Sequence, residues 1–349
     1  MKMKRINPLA LWSTCICALL LVSCGTSTIS FQILKPAQIS FPSSIKTILV
    51  INRYRPTQEN KLGNIIEGIL TGERPFVDKQ GAENAVAGLA NYLAQSPRFT
   101  IVRANEELKG TGTGWFPEPL PQSTIVALCK KYNADALVAL EAFDSDKSTT
   151  FQKQERSKAE NGTINKYNVS VAKRNMHVTV GWRVYEAANA NLLDEYRMDA
   201  QNYWNGEGAN DQLAAANLPD DYFMVKNVGL NAGQTYAARI APEWQWIQRT
   251  FYKKGDDAMK EAEYLMRAGK IDEAISKWKG LLNHPEKKVA GRAAYNIAVG
   301  YEYKGDLALA MEWAKKALGN YQLTAAENYM QLLQERIAEE QKLKMQMNK

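Results

Sequence analysis

Near Lys253 the spacing of apolar residues changes, and that change divides what this chain can fold into. Before it, short β-branched runs alternate with helical stretches. After it, apolar residues recur only at helical spacing. At 349 residues the chain is long enough for more than one core. The pattern predicts an α+β protein: an N-terminal α/β domain over 45–252, then an all-α domain over 253–349.

In the first part, Ile48-Leu49-Val50-Ile51 is the kind of run that forms a strand covered on both faces. A short helix is expected around Ile65 to Leu70. Ala82, Val86, Leu89 and Leu93 keep helical spacing until Ser96-Pro97. Phe99 to Val102 reads as a second strand and Gly110 to Pro121 as a loop. A helix is expected from Ser123, as N-cap, to Tyr132, and a third strand over Ala134 to Phe143. This order implies a parallel sheet with helices packed on it. Asn133 to Val138, following a helix, resembles the α/β domains of some envelope lipoproteins, including curli-secretion and Tol-associated proteins. That resemblance admits a role as a subunit of a secretion complex.

Ser145 to Asn165 is polar and reads as an exposed excursion. Met176, Val178, Val180, Trp182 and Val184 then share one strand face, with His177, Thr179, Gly181 and Arg183 on the other. A turn at Ala187 to Asn191 and a return strand over Leu192 to Trp204 make an antiparallel hairpin that extends the sheet. Asn205 to Pro219 reads as a loop, and Asp220 to Ala241 as a helix stopped by Pro242. Glu243 to Tyr252 fits either a strand or a helix. Its tryptophans, Trp244 and Trp246, are expected in a core.

In the second part, Ala262, Leu265, Gly269, Ala274, Trp278 and Leu281 make one helical unit. Tyr295 to Ala298, Tyr301, Gly305, Ala310, Ala314 and Leu318 make another. Their turn glycines, Gly269 and Gly305, are 36 residues apart. These units resemble tetratricopeptide repeats, whose period is about 34 residues. Such a hairpin cannot bury its apolar face alone, and Thr324 to Ala338 is placed to cap the pair. The polar tail Glu339 to Lys349 is expected to fray. The resemblance implies that the first helices line a groove, with Arg292, Tyr295, Asn296, Val299 and Tyr303 facing a protein partner. Packing of this short array against the α/β domain is the other reading.

The N-terminus says where the chain sits. Lys2, Lys4 and Arg5 precede an apolar run from Leu9 to Val22, too short to span a bilayer and flanked like a cleaved signal over 1–23. Leu21-Val22-Ser23-Cys24 resembles the bacterial lipobox, which implies acyl chains on Cys24 and anchoring to the membrane. Gly25-Thr26-Ser27 supplies no aspartate beside Cys24, which by resemblance favours an outer-membrane lipoprotein facing the periplasm. Polar residues and two prolines over 24–44 read as a tether. The order of parts resembles Bacteroidota-type lipoproteins in which an α/β domain precedes tetratricopeptide-like repeats, a family that brings no assigned activity.

Signals of chemistry are missing. The charge of +7 includes three positive residues of the signal segment, and no long basic run suggests nucleic acid. Once Cys15 and Cys17 leave and Cys24 is acylated, Cys129 has no partner for a disulfide. His177 and His284 lack the spacing of a zinc site. No nucleophile elbow or phosphate loop occurs, and the glycines at 110, 112 and 114 run into Pro117 rather than a helix start. The sequence therefore predicts no catalytic residue, cofactor or metal. The expected function is a protein-binding or scaffold module acting through its helical repeats. A glycan-binding protein or enzyme using the α/β domain is the alternative, drawn from Trp115, Trp204, Trp244 and Trp246.

Overall fold

Ile48 to Ile51 are buried in succession, because their strand lies between two layers of helix. This strand, β2 (Thr47–Asn52), follows the N-terminal strand β1 (Thr26–Lys35). The computed structural model describes residues 25–54, 77–104, 108, 116–160 and 162–347. They divide into two compact units, one built from 36–243 with the C-terminal turn from 343, the other from the N-terminal strand to Lys35 with 244–342. The expected signal segment, Cys24 and the helix near Ile65 lie outside the described residues.

In the first unit β2 pairs in parallel with β3 (Thr100–Arg103) and β4 (Ala136–Glu160). β5 (Thr163–Glu186) and β6 (Leu192–Gly208) extend the sheet antiparallel, giving the order β3-β2-β4-β5-β6. Ile48 and Val50 pack with Leu89 of α1 (Val77–Leu93). Leu49 and Ile51 pack on the other face with Ile125 and Leu128 of α2 (Gln122–Tyr132). After the short helix α3 (Asp211–Ala216) comes α4 (Asp221–Ile240), which lies beside α1. A Cβ on Gly229 or Gly233 of α4 would run into the carbonyl oxygens of Gly81 and Ala85 of α1. Only glycine permits this approach.

Three expectations change here. Ser145 to Asn165 continues as strand: β4 and β5 pair without interruption from Ala142↔Gly181 to Glu160↔Thr163. Both faces of this hairpin are largely solvated toward its tip, so no apolar alternation marks it. Cross-strand pairs such as Lys166–Glu155 (2.8 Å) take that place. The expected loop after Trp204 holds the end of β6 and α3, whose N-cap Asn210 accepts from Leu213 N–H at 2.9 Å. Ser123 is not an N-cap. Helix α2 starts one residue earlier behind Pro121, whose φ is −58° and whose carbonyl accepts from Thr124 N–H at 2.9 Å and Ile125 N–H at 3.1 Å.

In the second unit the expected tether is β1, paired with β7 (Glu243–Tyr252). Lys253 N–H donates to Gly25 O at 3.0 Å, which sets the start of β1 beside the end of β7 and makes the pair antiparallel. Phe31 and Ile33 are buried, alternating with exposed Ser30 and Gln32. Two helical hairpins follow, α5 (Asp257–Arg267) with α6 (Ile271–Gly280), and α7 (Lys287–Tyr303) with α8 (Leu307–Gly319). Their turns hold Gly269 at φ 76° and Gly305 at φ 82°. Helix α9 (Ala325–Met347) buries Ala326, Tyr329 and Leu333. The tail expected to fray stays helical to Met347, because Gln346, 3% exposed, is bonded into the first unit.

Candidate functional site

The proposed groove on α7 is filled by the chain's own strand. Asn296 and Val299 are fully buried. Asn296 holds the Tyr252 peptide of β7 through Oδ1 (2.8 Å) and Nδ2 (2.6 Å). The Tyr295 ring meets Tyr252 edge-on at 5.5 Å, and Arg292 lies over Tyr252 while donating to Lys254 O at 2.9 Å. Tyr303 packs on Phe31 of β1. The five residues do share a face, and its occupant is intramolecular, so the expectation of an open partner groove is corrected. Beneath lies Glu302, wholly buried, accepting from Arg249 Nε (2.7 Å), Arg249 Nη2 (2.8 Å) and Tyr329 OH (2.7 Å). Burial with that carboxylate pushes the Tyr329 hydroxyl well up.

Trp244 and Trp246 lie outside the core, 52% and 67% exposed. They occupy the face of β7 opposite Arg249 and Phe251, the residues turned toward the helices. Trp204 packs edge-on to Phe223, and Trp115 lies outside the described residues.

In the first unit, the carboxyl ends of the parallel strands are where an α/β sheet of this kind takes a ligand. Here they converge on Glu141. The register between β4 and β5 slips between Leu140 and Ala142, leaving Glu141 at a bulge. Its buried carboxylate meets Arg53 Nη1 at 2.6 Å and Tyr185 OH at 2.7 Å, with Arg183 Nη1 at 4.0 Å. Burial raises the Glu141 carboxyl against the opposing pull of Tyr185, Arg53 and Arg183. Burial and the Glu141 charge likewise raise the Tyr185 hydroxyl.

The same groups fasten residues 116–120 over the strand ends. Arg53 donates to Glu118 O, Arg183 to Pro117 O, and Leu120 N–H to Tyr185 OH. Arg183 also lies over the Phe116 ring. Among the described residues the centre is closed: an internal ion network covered by a strap, not a reactive pair facing a cleft. Among the described side chains there, Arg53 Nε alone is buried without a hydrogen bond. A lone glutamate within Leu137 to Phe143 is its one sequence signal. Its partners come from distant positions, so no spacing reveals them.

The open surface lies elsewhere. On the β4–β5–β6 face opposite Phe151, a recess of about 510 Å³ is lined by Gln152, Gln154, Arg156, Lys173, Asn205 and Glu207. Arg156 holds Glu207 with two nitrogens, and Lys173 sits over the half-exposed ring of Tyr203. His177 is 3.6 Å from Asp199, and His284 is 3.6 Å from Asp256. Among the described residues no three His, Cys, Asp or Glu side chains gather as a metal site would need. No described helix is long and apolar enough to cross a membrane.

This architecture defines a class: a mixed α+β protein whose sheet unit is followed by helical hairpins and completed by the last helical turn. The chain belongs to the family described as Domain of unknown function (DUF8603), whose model matches residues 45–252. A second model, Domain of unknown function (DUF6340), matches residues 260–335. No curated protein matches the chain. Among solved structures, a protein described as a candidate lipoprotein of Caulobacter crescentus CB15 is 12% identical, with a TM-score of 0.21, over 45% of this chain and 80% of that one. A candidate neuraminyllactose-binding hemagglutinin homologue from Helicobacter pylori is 8% identical, with a TM-score of 0.21, over 58% of this chain and 83% of that one. Likeness at that TM-score carries no argument about fold or function.

Proposed function

We propose that this chain is a lipid-anchored cell-envelope protein that works by binding rather than catalysis. Cleavage before Cys24 and acylation of that residue hold it on the membrane, on the periplasmic face of an outer membrane by the sorting resemblance. The helical hairpins are read as tetratricopeptide-like repeats that serve as a frame, because their groove is taken by β7. The observation that carries the binding role is the open polar face of β4, β5 and β6 with its recess. Against an enzyme stands the Glu141 network, which fills the strand ends where a substrate would enter. The occupant of the open face is read as a protein partner. Tyr203 beside amide and carboxylate side chains favours a glycan as the second reading.

The anchor is tested by labelling cells with radioactive palmitate. Label in the native chain and none in Cys24→Ser supports it, and label in both refutes it. The face is tested by placing a photo-crosslinking residue at Gln154 or at Gln248 in living cells. Adducts from Gln154 alone, lost on Arg156→Glu, support this surface, whereas adducts from Gln248 alone refute it. A glycan array probed with the purified chain and with Tyr203→Ala separates sugar from protein.

A further inference from the structure

Residue 25 is tied into the fold, and that constrains the anchor. Gly25 O accepts from Lys253 N–H at 3.0 Å, and β1 begins at Thr26. Cys24 directly precedes Gly25 in the sequence, one peptide bond away. An acylated Cys24 therefore brings the bilayer surface to this end of the β1–β7 pair, with no length of chain to act as a leash.

The surface found at that end is basic. Lys253 and Lys254 close β7. Arg292 donates to Lys254 O, and Val289 lies against Gly255, so the first turns of α7 are adjacent. Exposed Lys287 and Lys288 occupy the first turn of α7, which contains no acidic residue. A helix start already bears partial positive charge, so lysines there are disfavoured by the helix itself and favoured by an outside anion. The acidic residues of the same end are Asp256, Asp257, Glu286 and buried Glu263, whose carboxylate lies 4.0 Å from Lys253 Nζ and 3.7 Å from Arg267 Nη1. Asp256 caps Ala258 N–H and faces His284. The cations outnumber these acids.

We propose that this end of the helical unit docks on anionic lipid headgroups, with Lys253, Lys254, Lys287, Lys288 and Arg292 forming a collar around the acylated residue. The inference rests on the lipid-anchor reading above. It sets an orientation: the start of α7 faces the bilayer, and the far end of β1 points away from it. Attraction of this kind depends on headgroup charge and is screened by salt.

The test uses the lipidated full-length chain, purified from membranes and reconstituted in vesicles of phosphatidylcholine alone or with an equal part of phosphatidylglycerol. Buried Cys129 leaves an added cysteine as the reactive thiol. A fluorophore at Lys287→Cys is compared with one at exposed Gln32→Cys, which lies about 23 Å along β1 from Gly25 at strand rise. Headgroup-spin-labelled lipid is the quencher. Severalfold stronger quenching at Lys287→Cys in phosphatidylglycerol vesicles, reduced by Lys254→Glu with Lys288→Glu or by high salt, supports docking. Equal quenching at both positions, or no dependence on phosphatidylglycerol, overturns it. Cys24→Ser is carried alongside. If that form floats with vesicles as the native chain does, the anchor reading itself fails, a result distinct from loss of orientation.

Discussion

The carboxamide of Asn296 makes both hydrogen bonds of the Tyr252 residue: Oδ1 accepts its N–H at 2.8 Å and Nδ2 donates to its carbonyl at 2.6 Å. A side chain on α7 thus does what a neighbouring strand would do for the end of β7. A two-stranded sheet exposes polar edges that invite pairing with other chains, and Asn296 closes one such place. The face expected to receive a foreign peptide holds a strand of the same polypeptide.

Asn296→Ala is therefore expected to destabilise the helical unit by about 2 kcal/mol or more, since it leaves a backbone donor and acceptor unmatched at about 1–3 kcal/mol each. Urea unfolding of the variant measures the loss, and hydrogen exchange at Tyr252 should quicken. A midpoint unchanged from the native chain, with Tyr252 still protected, would show that the contact is incidental.

The contact of α1 with α4 leads to a second expectation. A Cβ on Gly233 meets the Ala85 carbonyl oxygen, which cannot rotate out of the way as a side-chain tip can. Gly233→Ala must part the two helices over the sheet, at a cost of about 1–3 kcal/mol typical of an overpacked core. Gly280→Ala, with open space at its Cβ, is the control and should leave the melting temperature nearly unchanged. Equal melting temperatures for the two variants would contradict this account of the helix contact.

What the sequence revealed follows from burial. β2 sits between two helix layers, so its apolar run was readable without context. The hairpins of the helical unit were readable because each turn needs a glycine at positive φ. The tip of the β4–β5 hairpin is solvated, and its Gln, Lys and Ser residues look like any polar loop. The alternation of Ile29, Phe31 and Ile33 was present but short, and it was masked by the polar residues around it. Glu141 stands out as a charge in an apolar strand, yet Arg53, Arg183 and Tyr185 meet it only through parallel pairing and a bulge. Asn296 was expected to face a protein partner, and the strand it holds instead, β7, is one whose type the sequence left open.

Cys129 sets a pH dependence. Burial, with a smaller push from Asp135, raises its thiol from 9.0 to about 11. Between those values the unfolded chain has released the proton and the folded chain has kept it, so unfolding is favoured as pH rises. The contribution is fully present below pH 9 and lost as pH passes about 11. It amounts to at most about 3 kcal/mol. Denaturation of the native chain and of Cys129→Ala at pH 8 and pH 10.5 isolates it. The native chain should lose more stability over that interval. Parallel losses would mean that the thiol titrates alike in both states.

Gln346 is the most consequential residue of the C-terminal turn. Its Oε1 accepts from Ala37 N–H at 2.9 Å, while Nε2 donates to Ala37 O at 3.0 Å and to Ser40 Oγ at 2.9 Å. All of these groups belong to the sheet-bearing unit, which is thereby completed by residues more than three hundred positions downstream. Gln346→Ala strands a buried backbone N–H and carbonyl at residue 37, so a loss of about 2 kcal/mol is expected in that unit. Deleting 343–349 should cost at least as much. Hydrogen exchange read separately over Pro36 to Glu243 and over Trp244 to Lys342 tells which unit suffers. Faster exchange in the first span alone matches the bonding, because the groups that Gln346 bonds at Ala37, Ile39 and Ser40 lie in that span. If the first span is unaffected, the clasp at Ala37 adds nothing to stability, and the helical tail persists for a reason other than this side chain.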